Sequence, residues 1–530
     1  MPDRGRQMKR RTFVTAAAAT ALARPCIAQA TKPLIFVPQG NLVSIDPVWT
    51  TATVTRNAAA MVFETLYGRN EALQPKPQMI AGALIEDDGK RWTLALRDGL
   101  AFHDGEEVLA RDCVASLNRW MKRDPAGQTI ADRLDAIETR DDKTLVFRFR
   151  KPFASLPMVL SKTQPTPAIM PERIASTDAF KQIPEMIGSG PFRYEPKEYV
   201  SGSRMVFTKN EKYVPRSEPA SYGAGGLRAM VDRVEWRVIP DPATAANALA
   251  AGEVDWVETP LPDLLPMLRK SAGVTVGVLD RTGYYGLLRP NWEQGPTAAR
   301  GVRQAMLAAI DQVEVMTATM GEDKSLYNAP VGIFIPGSSG ENAAGMELVR
   351  TRKPVGEIKA LLKDGGYNDE KVVLFHPTDQ VFYNAMIGVV AQAFRQIGLN
   401  VEEVSTDWGT VVERRTSHEP LEKGGWSMFP AGNPAADYVD PLLPSGVRGN
   451  GKKAWFGWPT DDKLEALRDQ WLDETDPVKQ KQLCEQIQAR SLDLVTIIPL
   501  GQYLPPAAWS NKISTPLKGM VPVYWNVTKT

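Results

Sequence analysis

The chain has 530 residues, with 63 Lys+Arg against 62 Asp+Glu and a hydrophobic share of 43%. That length exceeds what one hydrophobic core serves, so two or three domains are expected. The near-balance of charge lacks the basic footprint of a nucleic-acid binder, and three cysteines are too few for a disulfide framework.

The N-terminus reads as an export signal. Arg10-Arg11 precede a mild apolar run from Val14 to Leu22, shorter than the roughly 20 residues a membrane span needs. Ala28-Gln29-Ala30 supplies the small residues that signal peptidase requires. The paired arginines resemble a twin-arginine signal, with cleavage expected after Ala30 and Met8 as a second candidate start. Cys26, preceded by Ala23-Arg24-Pro25, is a poor lipidation site. Removing this basic segment leaves a weakly acidic chain in which no stretch reaches transmembrane length without charge.

The first strand is expected at 33–38, followed by a turn at Ser44-Ile45-Asp46-Pro47. Ala59, Val62, Phe63 and Leu66 share one side of a helix predicted over 56–67. Trp92-Thr93-Leu94-Ala95-Leu96 and Thr144-Leu145-Val146-Phe147-Arg148-Phe149 alternate as half-buried strands, with turns at Asp98-Gly99 and Asp104-Gly105. Ala110 to Leu117 reads as a helix with Cys113 on its apolar face, a buried small hydrophobe; a bridge to Cys484 is the alternative. Gly188-Ser189-Gly190-Pro191 leads into a strand that Met205 to Thr208 pairs with. A strand over 231–239 and a short helix over 244–251, ended by Gly252, follow. Lys371 to Phe375 is a strand. Phe382, Met386, Val389, Ala393 and Ile397 mark a helix over 379–398, Leu399 to Val404 is the next strand, 407–415 is helical and 426–429 is strand-like. That alternation implies a parallel sheet with right-handed crossovers.

Catalytic patterns are missing from the sequence. His103, His376 and His418 are far apart and form no His-x-x-x-His or Glu-x-x-His pair. There is no Gly-x-Ser-x-Gly elbow, and Gly223-Ala224-Gly225-Gly226 is not followed by the Lys-Ser/Thr of a phosphate cradle. No metal or cofactor is expected, and the reading is that the chain is not an enzyme.

Several segments, in order along the chain, resemble the dipeptide/oligopeptide/nickel-binding family of bacterial extracellular solute-binding proteins (family 5). Glu64-Thr65-Leu66-Tyr67 is similar to the family's early "E-x-L-Y". Trp92 to Gly105, ending Phe102-His103-Asp104-Gly105, is similar to its "FHDG" stretch. Gly188-Ser189-Gly190-Pro191-Phe192 resembles "GTGPF", and Asn210 and Tyr213 fit "N-x-x-Y". Asp241, Thr244, Ala248, Leu249, Gly252, Glu253, Val254 and Asp255 fit the family's next segment. Val302-Arg303-Gln304-Ala305 with Ala309-Ile310-Asp311, and Leu361-Leu362 with Gly366-Tyr367, complete the series.

The resemblance implies an α/β, two-lobed periplasmic binding protein fold of type II-like form, with an extra subdomain on the first lobe and a two-stranded hinge. The expected division is 1–30 export signal; 31–65, 186–280 and 498–530 lobe one; 66–185 the extra subdomain; 281–497 lobe two. It also implies a monomeric periplasmic component of an ABC importer that captures a peptide or peptide-like small molecule by lobe closure and hands it to the permease subunits. An exported hydrolase is the rival reading, as is a different ligand: an opine, an oligosaccharide or a nickel chelate. Within this family an aspartate of lobe two holds the peptide's α-amino group; Asp437, in Ala436-Asp437-Tyr438-Val439-Asp440-Pro441, matches it. Trp49, Tyr284, Tyr285, Trp408, Trp426 and Phe429 are the aromatic candidates for the cleft walls. Most other motif residues are expected to be structural: Gly105 gives its turn backbone freedom, and His103 is a satisfied turn histidine. One departure stands out: dipeptide binders hold the ligand carboxylate with an arginine after the strand equivalent to Leu374-Phe375, and no arginine occurs from His376 to Phe394.

Overall fold

The first strand, Leu34–Val37, becomes the centre of a seven-stranded sheet because both its neighbours come from distant sequence. It runs parallel to Arg233–Arg237 on one side and to Trp256–Val257 on the other. The sheet continues to Arg204–Lys209 and Phe192–Tyr194 at one edge, and to Ala507–Ser510 and Val274–Gly277 at the other. A strand buried on both faces must be apolar throughout, and Leu-Ile-Phe-Val is. Phe36 packs its ring 5.4 Å from Trp236, 5.2 Å from Trp256 and 5.1 Å from Tyr524; burying such a ring stabilises by about 1.5–3 kcal/mol. The computed structural model describes residues 32–351 and 353–530, and Pro33–Thr530 form one unit. The expected export signal, 1–30, and its expected cleavage site lie outside the described residues.

The second lobe is built on a six-stranded sheet in the order Tyr327–Asn328, Ile498–Tyr503, Tyr284–Pro290, Met428–Pro434, Lys371–Pro377, Asn400–Thr406. Lys371–Pro377 is parallel to Asn400–Thr406 over its whole length, as the strand–helix alternation predicts. It meets Met428–Pro434 in parallel only at Leu374 and Met428. The expected subdomain holds a four-stranded antiparallel sheet, Ile80–Glu86, Arg91–Leu96, Thr144–Phe149 and Leu134–Asp141.

The chain crosses between the lobes twice, through 278–283 and 504–506. Each crossing joins paired strands: Val274–Gly277 lies antiparallel to Ala507–Ser510, and Tyr284–Pro290 antiparallel to Ile498–Tyr503. This is the two-stranded hinge. Gly283 sits in it at φ 59°, where a Cβ would stand 2.2 Å from the carbonyl oxygen of Tyr503, so only glycine fits without displacement.

Four expectations need correction. Ile498–Tyr503 pairs with Tyr284–Pro290, so this strand belongs to the lobe-two sheet although 498 was the expected return to lobe one. The early helix is Thr53–Val62; Phe63 is already extended and Tyr67–Arg69 pairs with Pro75–Pro77, because the β-favouring Thr65-Leu66-Tyr67 finds a partner strand. In the helix Val381–Gln396 the buried side chains are Met386, Ile387, Val390, Ala391 and Phe394, a stripe rotated from the expected one; Phe382 and Tyr383 are half-buried beside aromatic rings of neighbouring elements. The fourth is His103, expected as a satisfied turn histidine: Nε2 meets the carbonyl oxygen of Gly190, outside its own turn, at 3.0 Å, and the buried Nδ1 has no partner among the described residues. Cys113 agrees with its first reading: it is free and buried on the helix Ala110–Met121, as Cys484 is free and buried elsewhere.

Candidate functional site

Asp437 lies where the lobes meet. Pro434 ends the strand Met428–Pro434, and the chain turns through a single 3-10 turn, Ala435–Asp437, whose first amide donates to the hinge carbonyl of Gly283 at 3.0 Å. The turn thereby fixes Asp437 relative to the hinge. Its side chain is directed at lobe one, where Arg69 of the strand Tyr67–Arg69 places Nη1 3.6 Å from Oδ1. That separation attracts but is too long for a hydrogen bond. Asp437 is only 5% exposed. Its Oδ1 and the Nη2 of Arg69 have no hydrogen-bond partner among the described residues, although both are buried.

The surroundings are heavily charged. Lys162 donates to Asp124 Oδ2 at 2.5 Å, while Asp124 Oδ1 caps the helix Pro125–Arg133 by accepting from the amides of Ala126 and Gly127. Arg56 donates from Nη2 to Tyr284 Oη at 3.0 Å, linking the helix Thr53–Val62 to the first strand of lobe two. Its neighbour Asn57 donates to Glu258 Oε1 at 2.6 Å. Arg56, Arg69, Lys162 and Arg468 thus face Asp124, Asp437, Asp440, Glu258 and Asp280, so carboxylates outnumber cations by one. Burial pushes the Asp437 carboxyl above its ordinary range against the pull of Lys162 and Arg69. Burial likewise raises Glu258, Asp440 and Asp280. A region of buried carboxylates in excess favours an incoming cation.

A second charged group stands on lobe two. Arg415 follows the helix Trp408–Arg414, whose N-cap Asp407 accepts from the amide of Thr410. The side chain is 4% exposed and its guanidinium lies among aromatic rings, 4.8 Å from Phe456, 5.5 Å from Phe429, 5.6 Å from Trp408 and 5.9 Å from Trp455. It reaches lobe one through a 3.4 Å hydrogen bond from Nη2 to Thr51 Oγ1. Burial lowers its pKa to about 10, so it stays charged at neutral pH. Tyr383, whose ring is 4.9 Å from Trp408, lies within electrostatic range of both Arg415 and Tyr284. Asp437, Arg56, Tyr284, Tyr383 and Arg415 therefore follow one another along a single interface.

The structure separates the aromatic candidates into two groups. Trp49, Tyr284 and Trp408 are half-buried, Tyr284 and Trp408 on this interface. Tyr285, Trp426 and Phe429 are fully buried. Tyr285 stacks on Tyr438 at 4.2 Å and donates to the carbonyl of Gly332. Trp426 packs between Phe375 and Phe429. Those three support the wall from behind, with Phe429 bearing on Arg415. The charged residues Arg56, Arg69, Lys162 and Arg415 escape sequence reading. Arg56-Asn57 amid the alanines of a buried helix is a usable signal for the first; Glu413-Arg414-Arg415 reads as a solvated helix end.

Beyond the Asp437 end lies a groove of about 720 Å³ between the subdomain and lobe two, lined by Arg133, Lys151, Arg448 and Arg468 among others. Ion pairs cross it: Arg133 to Asp473 at 2.5 Å and to Asp469 at 3.2 Å, and Lys151 to Asp473 at 3.1 Å. No helix among the described residues is long and apolar enough to cross a membrane, and no group of three or more His, Cys, Asp or Glu among them is placed to hold a metal ion.

Two lobes on a double crossing, with an unsatisfied charged interface between them, define a solute-binding protein. The chain belongs to the bacterial extracellular solute-binding proteins, family 5, whose profile for the middle region matches residues 74–450. It is 36% identical over 496 residues to a probable peptide ABC transporter periplasmic-binding protein of Sinorhizobium fredii, covering 92% of each chain. Its fold matches that of the binding protein AgaA of A. tumefaciens R10, in complex with agropinic acid, at a TM-score of 0.80, with 20% identity over 94% of this chain and 99% of the other. A dipeptide-binding protein of Pseudoalteromonas in complex with Met-Leu matches at a TM-score of 0.78, with 19% identity over 94% of this chain and all 100% of that one.

Proposed function

We propose that this protein is the periplasmic receptor of an ABC importer for peptides or peptide-like amines, and that Asp437 holds the ligand's ammonium group. The observation that carries this reading is the buried, unpartnered Oδ1 of Asp437 in a lobe interface where carboxylates exceed cations. A ligand ammonium entering there supplies the missing donor and the missing positive charge, and both lobes gain contacts at once. Such two-sided contact is what favours the closed state that a permease recognises. The 36% identical relative, described as a probable peptide transporter component, supports the same substrate class.

In this reading Trp49, Tyr284 and Trp408 form apolar walls that accept varied side chains, since rings give contact area with few rotors. The protein acts as a monomer, does no chemistry on its ligand, and reaches the periplasm through the twin-arginine-like segment that ends at Ala30. The test is thermal unfolding of the chain from Thr31 against di- to octapeptides, glutathione, opines, oligosaccharides and nickel–histidine, with mass spectrometry of whatever the purified protein carries. Stabilisation by peptides, glutathione or opines that carry a free amine supports the reading. Stabilisation only by oligosaccharides or nickel–histidine sinks it.

A further inference from the structure

We infer that Arg415 is an anion receptor in the same cleft and that it takes a carboxylate of the ligand. The inference rests on the solute-binding reading above and narrows its ligand class to molecules carrying a carboxylate apart from the amine.

The argument is a comparison of buried arginines. Arg289, fully buried, donates to the carbonyl oxygens of Phe456, Gly446, Thr496 and Trp455 at 2.6–3.0 Å. Arg303 donates to Leu494, Thr297 and Ala298 at 2.8–3.0 Å. Arg119 forms a fork with both oxygens of Asp46, at 3.1 and 2.7 Å. Every guanidinium nitrogen of Arg289 and Arg119 has an acceptor, and so do Nε and Nη1 of Arg303, as a buried guanidinium requires. Arg415 is as deeply placed, yet Nε has no partner and its 3.4 Å contact with Thr51 Oγ1 is long and neutral. No carboxylate among the described residues forms an ion pair with it. The surrounding ring faces attract the charge but leave the donors in the guanidinium plane unanswered. A planar fork with free in-plane donors is shaped for a carboxylate, which accepts two parallel hydrogen bonds.

Its position adds to the argument. The guanidinium is on lobe two and reaches Thr51 of lobe one, so an anion held there lies at the interface between the lobes. Opposite charges at Asp437 and Arg415, with Tyr284 and Tyr383 between them, suit a zwitterion. No arginine lies between the strand Lys371–Pro377 and Phe394, and Arg415, just past the helix Trp408–Arg414, supplies a cation from another element. The carboxylate is either the C-terminus of a peptide or an acidic group within the ligand.

The experiment offers the protein four synthetic libraries of di- to pentapeptides: free termini, C-terminal amides, N-acetylated acids, and amides containing one glutamate. Captured species are identified by native mass spectrometry and their affinities measured by calorimetry on wild type, Arg415→Met and Arg415→Lys. A charge-assisted bidentate contact predicts that the wild type prefers acids to amides by about 10- to 100-fold. Arg415→Met should lose that preference and Arg415→Lys keep only part of it, with the fork gone but the charge retained. Glutamate-containing amides that match the acids would place the carboxylate in a side chain, and failure to match would place it at the C-terminus; either supports the inference. Equal binding of acids and amides by wild type overturns it, as does an acid preference that survives Arg415→Met or the capture of no acid at all. The N-acetylated library reports on Asp437 independently: acid preference that ignores acetylation sinks the ammonium site while Arg415 stands.

Discussion

Asp437→Asn keeps the shape of the side chain and removes its charge, so it separates a binding role from a structural one. In the unliganded protein the partners of Asp437 have other support. Arg69 donates to the carbonyl of Ala436 at 3.3 Å and to Ser161 Oγ at 3.2 Å, and feels Asp440; Lys162 keeps Asp124 at 2.5 Å. The substitution gives up one attraction at 3.6 Å and relieves the burial of a carboxylate that lacks hydrogen bonds. These effects oppose each other, and the unfolding free energy should change by no more than about 1 kcal/mol. Binding should respond far more. A hydrogen bond to a charged ammonium contributes about 1.5–3 kcal/mol, so affinity should fall about 10- to 100-fold. Ligand at a hundred times the wild-type Kd adds about 2.7 kcal/mol of stability; at the same concentration the variant should gain only about 1.4 to 0.4 kcal/mol. Urea unfolding with and without the best ligand measures both quantities. The pH profile gives a further check. A carboxyl raised above its ordinary 3.8 keeps protons in the folded state that the unfolded chain has released. Stability should therefore fall as pH rises through that window in wild type, and fall less in Asp437→Asn. A variant that loses about 3 kcal/mol or more of unliganded stability and keeps its full ligand increment would refute the reasoning, because that is the signature of a structural pair with Arg69.

Asp473→Asn should favour the open state by removing the negative charge shared by Arg133 and Lys151. Because Asp473 is 38% exposed, the loss in ligand affinity should stay below about fivefold and vanish near 1 M salt, measured by titration at low and high ionic strength. Gly283→Ala should destabilise by about 1–3 kcal/mol, since the added Cβ meets Tyr503 O at 2.2 Å at a positive φ. It should also change the open–closed balance seen by small-angle scattering. His103 is lowered from 6.5 to about 4 chiefly by burial. The unfolded chain then binds the extra proton first, so wild-type stability should drop as pH falls from 6.5 to 4, and His103→Gln should lessen that drop in urea titrations.

The sequence made the fold legible where patterns are local or where both strand faces are buried. Leu34–Val37, the parallel pair Lys371–Pro377 and Asn400–Thr406, and the Gly252-ended helix Pro242–Ala251 all follow from composition and punctuation. What escaped depends on partners far along the chain. Tyr67–Arg69 looks like a helix end until Pro75–Pro77 pairs with it. Ile498–Tyr503 is assigned only by its pairing with Tyr284–Pro290. In the helix Val381–Gln396 the apolar residues nearly encircle the axis, so periodicity alone does not choose the face turned to the sheet. At the site, Asp437 came from family likeness and its burial agrees with a role at the interface. Arg56, Arg69, Lys162 and Arg415 came only from the structure, because an arginine's environment is written by whatever folds against it.

That difference between cations bears on how closure is driven. Arg119, Arg289 and Arg303 are satisfied by partners within their own lobe or its subdomain, and they hold the same bonds whether the lobes are together or apart. Arg69, Asp437 and Arg415 carry unpartnered buried atoms, and each approaches a group of the opposite lobe. Bringing the lobes together without a ligand strips these groups of water and returns only long contacts, so closure of the empty protein is resisted at both ends of the cleft. A ligand bearing an ammonium and a carboxylate answers both sets of donors and acceptors, and its differential affinity for the closed form then exceeds that of any ligand answering one. With Asp437 and Arg415 holding the ligand as proposed, closure would test the ligand's two charges, and a ligand lacking either should bind one lobe without bringing the other onto it.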